Sequence, residues 1–314
     1  MKIVFMGTPD FAVISLDILI NNNFDVVAVI TAPDKPAGRG RQLQQSPVKQ
    51  FAIQNDLNVL QPTNLKDTAF IEELRNLNAD LFIVVAFRML PEAVWNMPPK
   101  GTFNLHASLL PRYRGAAPIN WAIINGEKET GVTTFFLKQE IDTGEIIFQE
   151  KTFIDTKETA GDLHDRLMET GAKLVLKTAK AIKVGNISTT PQEKLINSEI
   201  ETAPKIFRED CKINWNNSSK EIYNLIRGLS PYPSAWSILS MNGKEFNAKI
   251  FFAEHCADFD AQPGQINSNN KDHIRVKTSD SALCITEIQL EGKKKLKVEE
   301  FLRGTEIPEG SFFS

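Results

Sequence analysis

The chain has 314 residues, of which 42% are hydrophobic and 24% are charged. This composition is typical of a globular protein and excludes a disordered, collagen-like or coiled-coil chain. The formal net charge of −3 at pH 7 excludes binding of nucleic acid through bulk positive charge, so any such contact must be local. Three cysteines without a CxxC pair argue against a disulfide framework and a zinc finger. The length predicts two domains, with one large domain as the alternative.

Neither a membrane span nor a signal peptide is expected. The longest apolar run covers residues 79–87 and is interrupted by Asp80, whereas a transmembrane helix needs about 18 apolar residues. The apolar stretch within residues 1–7 is too short for a signal peptide. We therefore expect a cytoplasmic protein.

Short apolar runs alternate with helical periodicity in the first part of the chain. This alternation, with continuous apolar strands, predicts an α/β domain with a doubly wound, mostly parallel, Rossmann-like sheet. Three prolines and two glycines in residues 32–47 predict a long loop. The predicted strands cover residues 3–6, 25–31, 81–86, 103–106, 132–137 and 146–149, and the predicted helices include residues 10–20 and 157–183.

The pattern changes after residue 184. Residues 185–205 are polar and rich in turn-forming residues, which is typical of a linker. Beyond them, one predicted helix precedes short strands separated by turns, which indicates a small β-barrel. The predicted domains are therefore residues 1–184 and 206–314.

The sequence contains no complete dinucleotide-binding, Walker A or aspartic-protease motif. The turn after the first strand contains Gly7 and Pro9, whereas a dinucleotide-binding fingerprint needs G-x-G-x-x-G, and proline lacks an amide donor for phosphate. There is also no Walker A motif. The Asp142-Thr143-Gly144 segment is typical of a turn, and an aspartic protease would need a second such motif.

Asn104 and His106 are the first candidates for catalysis. Residues two apart on a strand face the same side, and open α/β sheets bind ligands at the carboxyl ends of their strands. An amide donor beside an imidazole suits attack on a carbonyl-type carbon, because the amide polarises the oxygen while the imidazole moves a proton. Alternatively, both side chains are satisfied by backbone hydrogen bonds at the end of the strand.

Taken in chain order, several segments together resemble methionyl-tRNA formyltransferases over essentially the whole chain. The Asn-x-His, Ser-Leu-Leu-Pro and Asp set is common to folate-dependent formyltransferases and indicates the chemistry, whereas the basic loop and the second domain indicate the substrate. The segments are Gly7-Thr8-Pro9-Asp10-Phe11, residues 33–41 (PDKPAGRGR), Asn104-x-His106-x-Ser108-Leu109-Leu110-Pro111 with Arg114-Gly115, Asp142-Thr143-Gly144, and residues 203–206, 226–236 and 301–304.

The resemblance implies transfer of a formyl group from 10-formyltetrahydrofolate to the α-amino group of initiator methionyl-tRNA, for translation initiation. It implies a monomer without a metal, and a second domain with an OB-like barrel that binds tRNA. Asn104 would donate to the oxyanion and His106 would move the proton. Asp142 would orient the imidazole and favour its charged form, directly or through a water.

The resemblance also implies two groups of binding residues. The folate ring would lie against Ser108, Leu109, Leu110, Pro111, Phe87, Met89 and Leu90. The tRNA would contact the basic residues Lys35, Arg39, Arg41, Lys293, Lys294 and Lys295. Three alternatives stay open: core packing for Phe87 and Leu90, a solvated basic loop, and an exposed turn for the lysine cluster.

Other acceptors and one other class of protein remain alternatives. A formyltransferase acting on an amino sugar attached to a nucleotide can share the chemistry and the two domains. A purine-nucleotide formyltransferase would typically lack the second domain. A non-catalytic RNA-binding protein could keep the fold, but the intact Asn104, His106 and Asp142 argue against it.

Overall fold

The computed structural model of the protein describes residues 1–37, 42–196 and 199–314. The helices are α1 Asp10–Asn21, α2 Pro47–Gln54, α3 Thr68–Asn76, α4 Glu92–Trp95, α5 Pro118–Ile124, α6 Ala160–Val184, α7 Ser219–Leu229 and α8 Val298–Gly304, with 3-10 turns at Gln192–Leu195 and Glu209–Cys211. The strands are β1 Lys2–Gly7, β2 Asp25–Ile30, β3 Lys35–Ala37, β4 Gln42–Gln44, β5 Val59–Leu60, β6 Leu81–Val85, β7 Thr102–His106, β8 Arg114–Gly115, β9 Glu129–Phe136, β10 Ile146–Phe153, β11 Thr202–Ala203, β12 Ala235–Met241, β13 Lys244–Cys256, β14 Ile266–Ser268, β15 Ile274–Lys277, β16 Ala282–Leu290, β17 Leu296–Lys297 and β18 Phe312–Phe313.

The described chain forms two compact units. The first consists of Met1–Gly115, Thr130–Thr152 and His164–Thr202. The second consists of Ala116–Glu129, Phe153–Leu163 and Ala203–Ser314. None of the described helices is long and apolar enough to cross a membrane.

The first unit is built on a seven-stranded sheet of order β10-β9-β7-β6-β1-β2-β5. β1 is an inner strand of this sheet, and it pairs in parallel with β2 on one side and with β6 on the other. β6 pairs in parallel with β7, and β9 is antiparallel to β7. The predicted doubly wound, mostly parallel sheet is confirmed. All five residues of β6 are buried, as expected for a strand covered on both faces.

Residues 32–47, predicted as a loop, contain regular structure. β3 and β4 pair as an antiparallel hairpin, and α2 begins at Pro47, where Ser46 Oγ accepts from Lys49 N. Lys49 Nζ lies 2.6 Å from Asp34 Oδ2, and Gln61 Nε2 donates to Asp34 Oδ1 at 2.8 Å. These hydrogen bonds hold the pKa of Asp34 below its usual value and secure the base of the hairpin.

The second unit contains an antiparallel sheet of order β14-β15-β16-β13-β12-β18, with β17 paired to β16. Its edge strands approach each other, since Gln265 and Phe312 form an antiparallel bridge. Closure removes the exposed edges of the sheet, and the predicted small barrel is confirmed. α7 starts with a capping box formed by Ser218 and Glu221. Its buried residues Ile222, Ile226 and Leu229 join the barrel core.

Candidate active site

Asn104 and His106 lie on β7 with a parallel neighbour on one side and an antiparallel neighbour on the other. Asn104 pairs with Val84 of β6, and His106 pairs with Thr133 of β9. Because they lie two positions apart along a strand, their side chains share one face of the sheet. His106 is buried and Asn104 is half-buried. The strand therefore presents an amide and an imidazole together at its carboxyl end.

The His106 ring is held between a backbone carbonyl and a carboxylate. Its Nε2 lies 2.8 Å from Tyr113 O, and a carbonyl oxygen can only accept. Nε2 must therefore carry a proton, which leaves the lone pair of a neutral ring on Nδ1. Nδ1 faces Asp142 Oδ2 at 3.8 Å. Phe135 packs edge-on against the imidazole, with 6.5 Å between the ring centroids, and limits its tilt.

Asp142 occupies a left-handed turn that directs its carboxylate toward the imidazole. Its φ is +54°, an uncommon conformation for a residue other than glycine. Asp142 Oδ2 accepts from Gly115 N at 3.0 Å. Gly144 closes the turn, because a Cβ there would lie 1.5 Å from Phe136 O. The segment is thus a turn, as its residue types indicate, and it also brings the carboxylate to His106.

Gln192 is a component of the site that sequence reasoning missed. Its Nε2 donates to the carbonyl oxygens of Asp142 and Gly144, both at 2.8 Å. Its Oε1 accepts from Arg114 Nε and Nη2 at 3.0 and 2.7 Å. Gln192 lies 50 residues from Asp142 in the sequence, within the segment predicted as a linker. No local pattern distinguishes it from the other polar residues there.

The Ser108–Pro111 segment is held by hydrogen bonds that are buried or partly buried. Ser108 Oγ donates to Arg112 O at 2.7 Å, and Thr133 Oγ1 donates to Ser108 O at 2.6 Å. Gln149 Nε2 donates to Leu110 O at 2.9 Å. Leu110 is buried in a cluster that includes Phe135, and Pro111 is also buried. Leu109 is the half-buried residue of the segment and is its best candidate for a contact with the folate ring.

The three candidates after β6 differ in exposure. Leu90 is buried in the same core cluster as Val84 and Val94, and Phe87 packs against that cluster while half-buried. Core packing therefore accounts for Leu90. Met89 is 70% exposed, so its flexible thioether side chain can adapt to an aromatic ring. The folate-binding role of all three stays a prediction.

The candidate tRNA contacts in the first unit are partly outside the described residues. Arg39 and Arg41 lie there, so their contacts stay a prediction. Lys35 is exposed on β3. The neighbouring Lys49 is instead engaged by Asp34 at 2.6 Å.

The lysine cluster of the second unit forms the turn between β16 and β17. Lys293, Lys294 and Lys295 are all exposed. Lys295 Nζ lies 2.7 Å from Glu287 Oε2 and 5.1 Å from the centroid of the Phe251 ring. Part of the positive charge of the cluster is therefore compensated within the unit.

A second basic surface of this unit was not singled out from the sequence. Trp236 lies in a concavity of about 580 Å³ that Arg208, Lys249 and Tyr232 also line. The Arg208 guanidinium lies 5.2 Å from the Trp236 ring centroid, and Tyr232 is 82% exposed. Cations beside aromatic rings are typical of surfaces that contact nucleic acid.

Over the described ranges of the chain, no group of three or more His, Cys, Asp or Glu residues could hold a metal ion.

Comparisons with known proteins define the class of this chain. The Formyl transferase family model matches residues 1–179, and the Formyl transferase, C-terminal domain model matches residues 205–306. The fold and these two matches are those of a formyl transferase.

Within this class, curated relatives of the chain share one activity. The methionyl-tRNA formyltransferase of Bacteroides fragilis is 53% identical over 312 residues, which cover 98% of this chain and 96% of the relative. That of Flavobacterium johnsoniae is 54% identical over 307 residues, or 97% and 96% of the two chains. The chain belongs to the methionyl-tRNA formyltransferase family, and the resemblance inferred from its motifs is confirmed.

Solved structures share the fold at lower identity. The N-formyltransferase from Helicobacter canadensis, in complex with folinic acid and dTDP-3-aminofucose, superposes with a TM-score of 0.68 at 24% identity, over 94% of this chain and 100% of that chain. HypX from Aquifex aeolicus in complex with tetrahydrofolic acid gives a TM-score of 0.65 at 20% identity, over 98% of this chain and 49% of that chain. At these identities the likeness concerns the fold.

Proposed function

We propose that this chain transfers the formyl group of 10-formyltetrahydrofolate to the α-amino group of initiator methionyl-tRNA, giving N-formylmethionyl-tRNA. The observation that carries the proposal is the pairing of His106 Nδ1 with Asp142 Oδ2, 3.8 Å apart, where His106 shares its strand with Asn104. Its curated relatives of 53–54% identity are methionyl-tRNA formyltransferases. No metal takes part in the proposed reaction.

Proton transfer is the role of His106. The methionyl amine must lose a proton as it attacks the formyl carbon, and Nδ1 carries the free lone pair of the neutral ring. Once Nδ1 is protonated, it faces the Asp142 carboxylate, and a small shift from 3.8 Å would give a charge-assisted hydrogen bond. A positioned acid or base contributes about 10²–10⁴-fold to the rate.

Charge stabilisation is the role of Asn104. Attack by the amine turns the formyl carbon into a tetrahedral centre with a negative oxygen. The Asn104 amide can donate to that oxygen, and one such donor contributes about 10²–10³-fold to kcat. Collapse of the intermediate then breaks the bond between the formyl carbon and N10 of the folate. N10 takes the proton that His106 removed from the amine, so that tetrahydrofolate leaves and the neutral imidazole is restored.

We place the folate contacts in the first unit and the tRNA contacts in both units. For the folate ring, we assign contacts to Leu109 and the exposed Met89, with Ser108, Leu110, Pro111, Phe87 and Leu90 shaping the slot. For tRNA, we assign Lys35, Arg39 and Arg41 in the first unit. In the second unit we assign the Lys293–Lys295 turn and the surface around Trp236.

We propose the domain organisation that the sequence predicts. A catalytic domain of residues 1–184 is joined to a tRNA-binding domain of residues 206–314 by residues 185–205, a connecting segment that also contributes Gln192 to the candidate active site. We expect a monomer that acts in the cytoplasm, where charged initiator tRNA is available. Sedimentation equilibrium with and without tRNA measures the oligomeric state.

A single-turnover assay tests the function. The enzyme is mixed with 10-formyltetrahydrofolate and with methionyl-tRNA of the initiator or the elongator type, and formylmethionine is measured after deacylation. We expect rapid formylation of the initiator species and slow formylation of the elongator species. Amino sugars attached to nucleotides serve as competing acceptors. Faster formylation of an amino sugar than of methionyl-tRNA would contradict the proposal.

A further inference from the structure

Every hydrogen-bonding group of the Gln192 side chain is paired, either with the turn Asp142–Gly144 or with Arg114. A primary amide offers two donors and an oxygen with two lone pairs. Both donors of Gln192 go to the carbonyls of Asp142 and Gly144, and both lone pairs go to Arg114. The residue is fully buried. Burial of an amide is favourable only when it is paired in this way.

The turn that contains Asp142 depends on outside support. Its backbone is left-handed, with φ +54°, a conformation that is uncommon for residues other than glycine. Rotation of the Asp142 peptide toward a relaxed conformation would carry the carboxylate away from His106. The hydrogen bond from Gln192 to Asp142 O opposes this rotation, and the bond to Gly144 O fixes the other end of the turn.

Gln192 is itself held on the sheet. Thr190, two residues earlier, forms an antiparallel bridge with Ile146, in which both N–H to O distances are 2.9 Å. Ile146 begins β10, the strand that follows the turn. The bridge between Thr190 and Ile146 therefore brings Gln192 close to the turn that precedes β10, where the two carbonyls that it binds lie.

We propose that Gln192 is a positioning residue for formyl transfer, which keeps the Asp142 carboxylate facing Nδ1 of His106. The inference rests on the proposed function, in which His106 and Asp142 carry the proton transfer. Gln192 acts through Asp142 and contacts neither substrate. Its loss should therefore lower kcat more than it raises KM for either substrate.

Two substitutions separate positioning from simple packing. Gln192→Leu removes all four hydrogen bonds at similar volume. Gln192→Glu keeps an acceptor for Arg114 but sets a carboxylate oxygen against the carbonyls of Asp142 and Gly144. We expect both variants to lose about 10–100-fold in kcat, with KM changed less than about threefold. Relative to the wild type at the same pH, Gln192→Glu should recover as the pH falls, because a protonated carboxyl can donate to one carbonyl.

Two controls complete the experiment. Thr178→Val removes a buried hydrogen bond to Thr134 of 2.9 Å in the same unit but away from the turn, and should keep the wild-type kcat and pH–rate profile. Asp142→Asn removes the charge that Gln192 is proposed to position. The pH–rate profile of Gln192→Leu should change in the same direction as that of Asp142→Asn. Thermal unfolding of each variant reports its folding, and Gln192→Glu carries the test if Gln192→Leu does not fold.

The outcomes distinguish this inference from the proposed function. If Asp142→Asn is impaired while the Gln192 variants keep the wild-type kcat and pH–rate profile, the positioning role is wrong and the function stands. If the Gln192 variants lose only stability, as Thr178→Val does, the role is structural and the inference is again wrong. If Asp142→Asn turns over as fast as the wild type, the catalytic assignment and the positioning role both fall.

Discussion

Replacing Asp142 by asparagine removes one charge from the candidate site at almost constant shape. The new side-chain amide would still offer an oxygen to Gly115 N, which donates to the carboxylate at 3.0 Å in the wild type. What disappears is the attraction between the carboxylate and a protonated His106. At the observed 3.8 Å and an effective dielectric constant of about 20, that attraction amounts to about 4 kcal/mol. Because the imidazole is charged only after it takes the proton, most of this attraction acts in the transition state.

The expected result is a loss of about 10³-fold in kcat, since each 1.36 kcal/mol corresponds to about a tenfold change in rate. Single-turnover formylation of initiator methionyl-tRNA at saturating 10-formyltetrahydrofolate measures the chemical step directly. The melting temperature serves as the control for folding and should change little. An Asp142→Asn enzyme that retains more than about a tenth of the wild-type rate would refute the electrostatic reasoning.

Three further predictions concern the catalytic candidates Asn104 and His106, the proposed tRNA contact of Arg39, and the ion pair between Asp34 and Lys49 beside the β3–β4 hairpin. His106→Ala and Asn104→Ala should each lower kcat at least about 10²-fold in folded protein, and turnover above about a tenth of wild type would exclude that assignment. Arg39→Ala should lower kcat/KM for methionyl-tRNA and reduce the salt dependence of tRNA binding, whereas unchanged values would exclude the contact. The ionised Asp34 carboxylate, whose pKa is lowered chiefly by its hydrogen bond from Lys49, contributes stability above about pH 4 that is lost as the pH falls through the lowered pKa. In denaturant titrations, Asp34→Asn should therefore be less stable than the wild type at pH 7, and the difference should disappear once the pH lies below the lowered pKa of Asp34. Equal stability at pH 7 would contradict this.

The sequence predicts best where burial alone decides the structure. Leu81–Val85 is apolar at every position and forms the fully buried β6, because a parallel strand covered by helices has no solvent face. The hairpin of β3 and β4 was not predicted. Its strands consist of polar residues, proline and alanine, with one exposed leucine, so they carry neither the alternation nor the apolar run of a buried strand.

The candidate site shows the same limit at the level of side chains. The shared orientation of Asn104 and His106 was predictable because residues two positions apart on a strand face the same side, which is a local property of the sequence. The approach of Asp142 to His106 depends on a left-handed turn and on the amide of Gly115. The support from Gln192 depends on a fold that joins residues 50 positions apart. Such long-range contacts leave no periodic pattern in a single sequence. Asp142 was therefore predicted as a site residue only through the motif resemblance, and Gln192 was not predicted at all.

The two groups of the proposed proton transfer are fixed by one short segment, residues 113–115. Tyr113 O accepts from His106 Nε2, and Gly115 N donates to Asp142 Oδ2. Tyr113 and Gly115 both have positive φ, at +59° and +126°, so the segment turns its carbonyl toward the imidazole and its amide toward the carboxylate. Because both partners are backbone atoms, the tautomer of the base and the position of its counter-charge are set together. This arrangement places the free lone pair of the neutral ring on the side of the ring that faces the carboxylate, where the positive charge develops during the reaction.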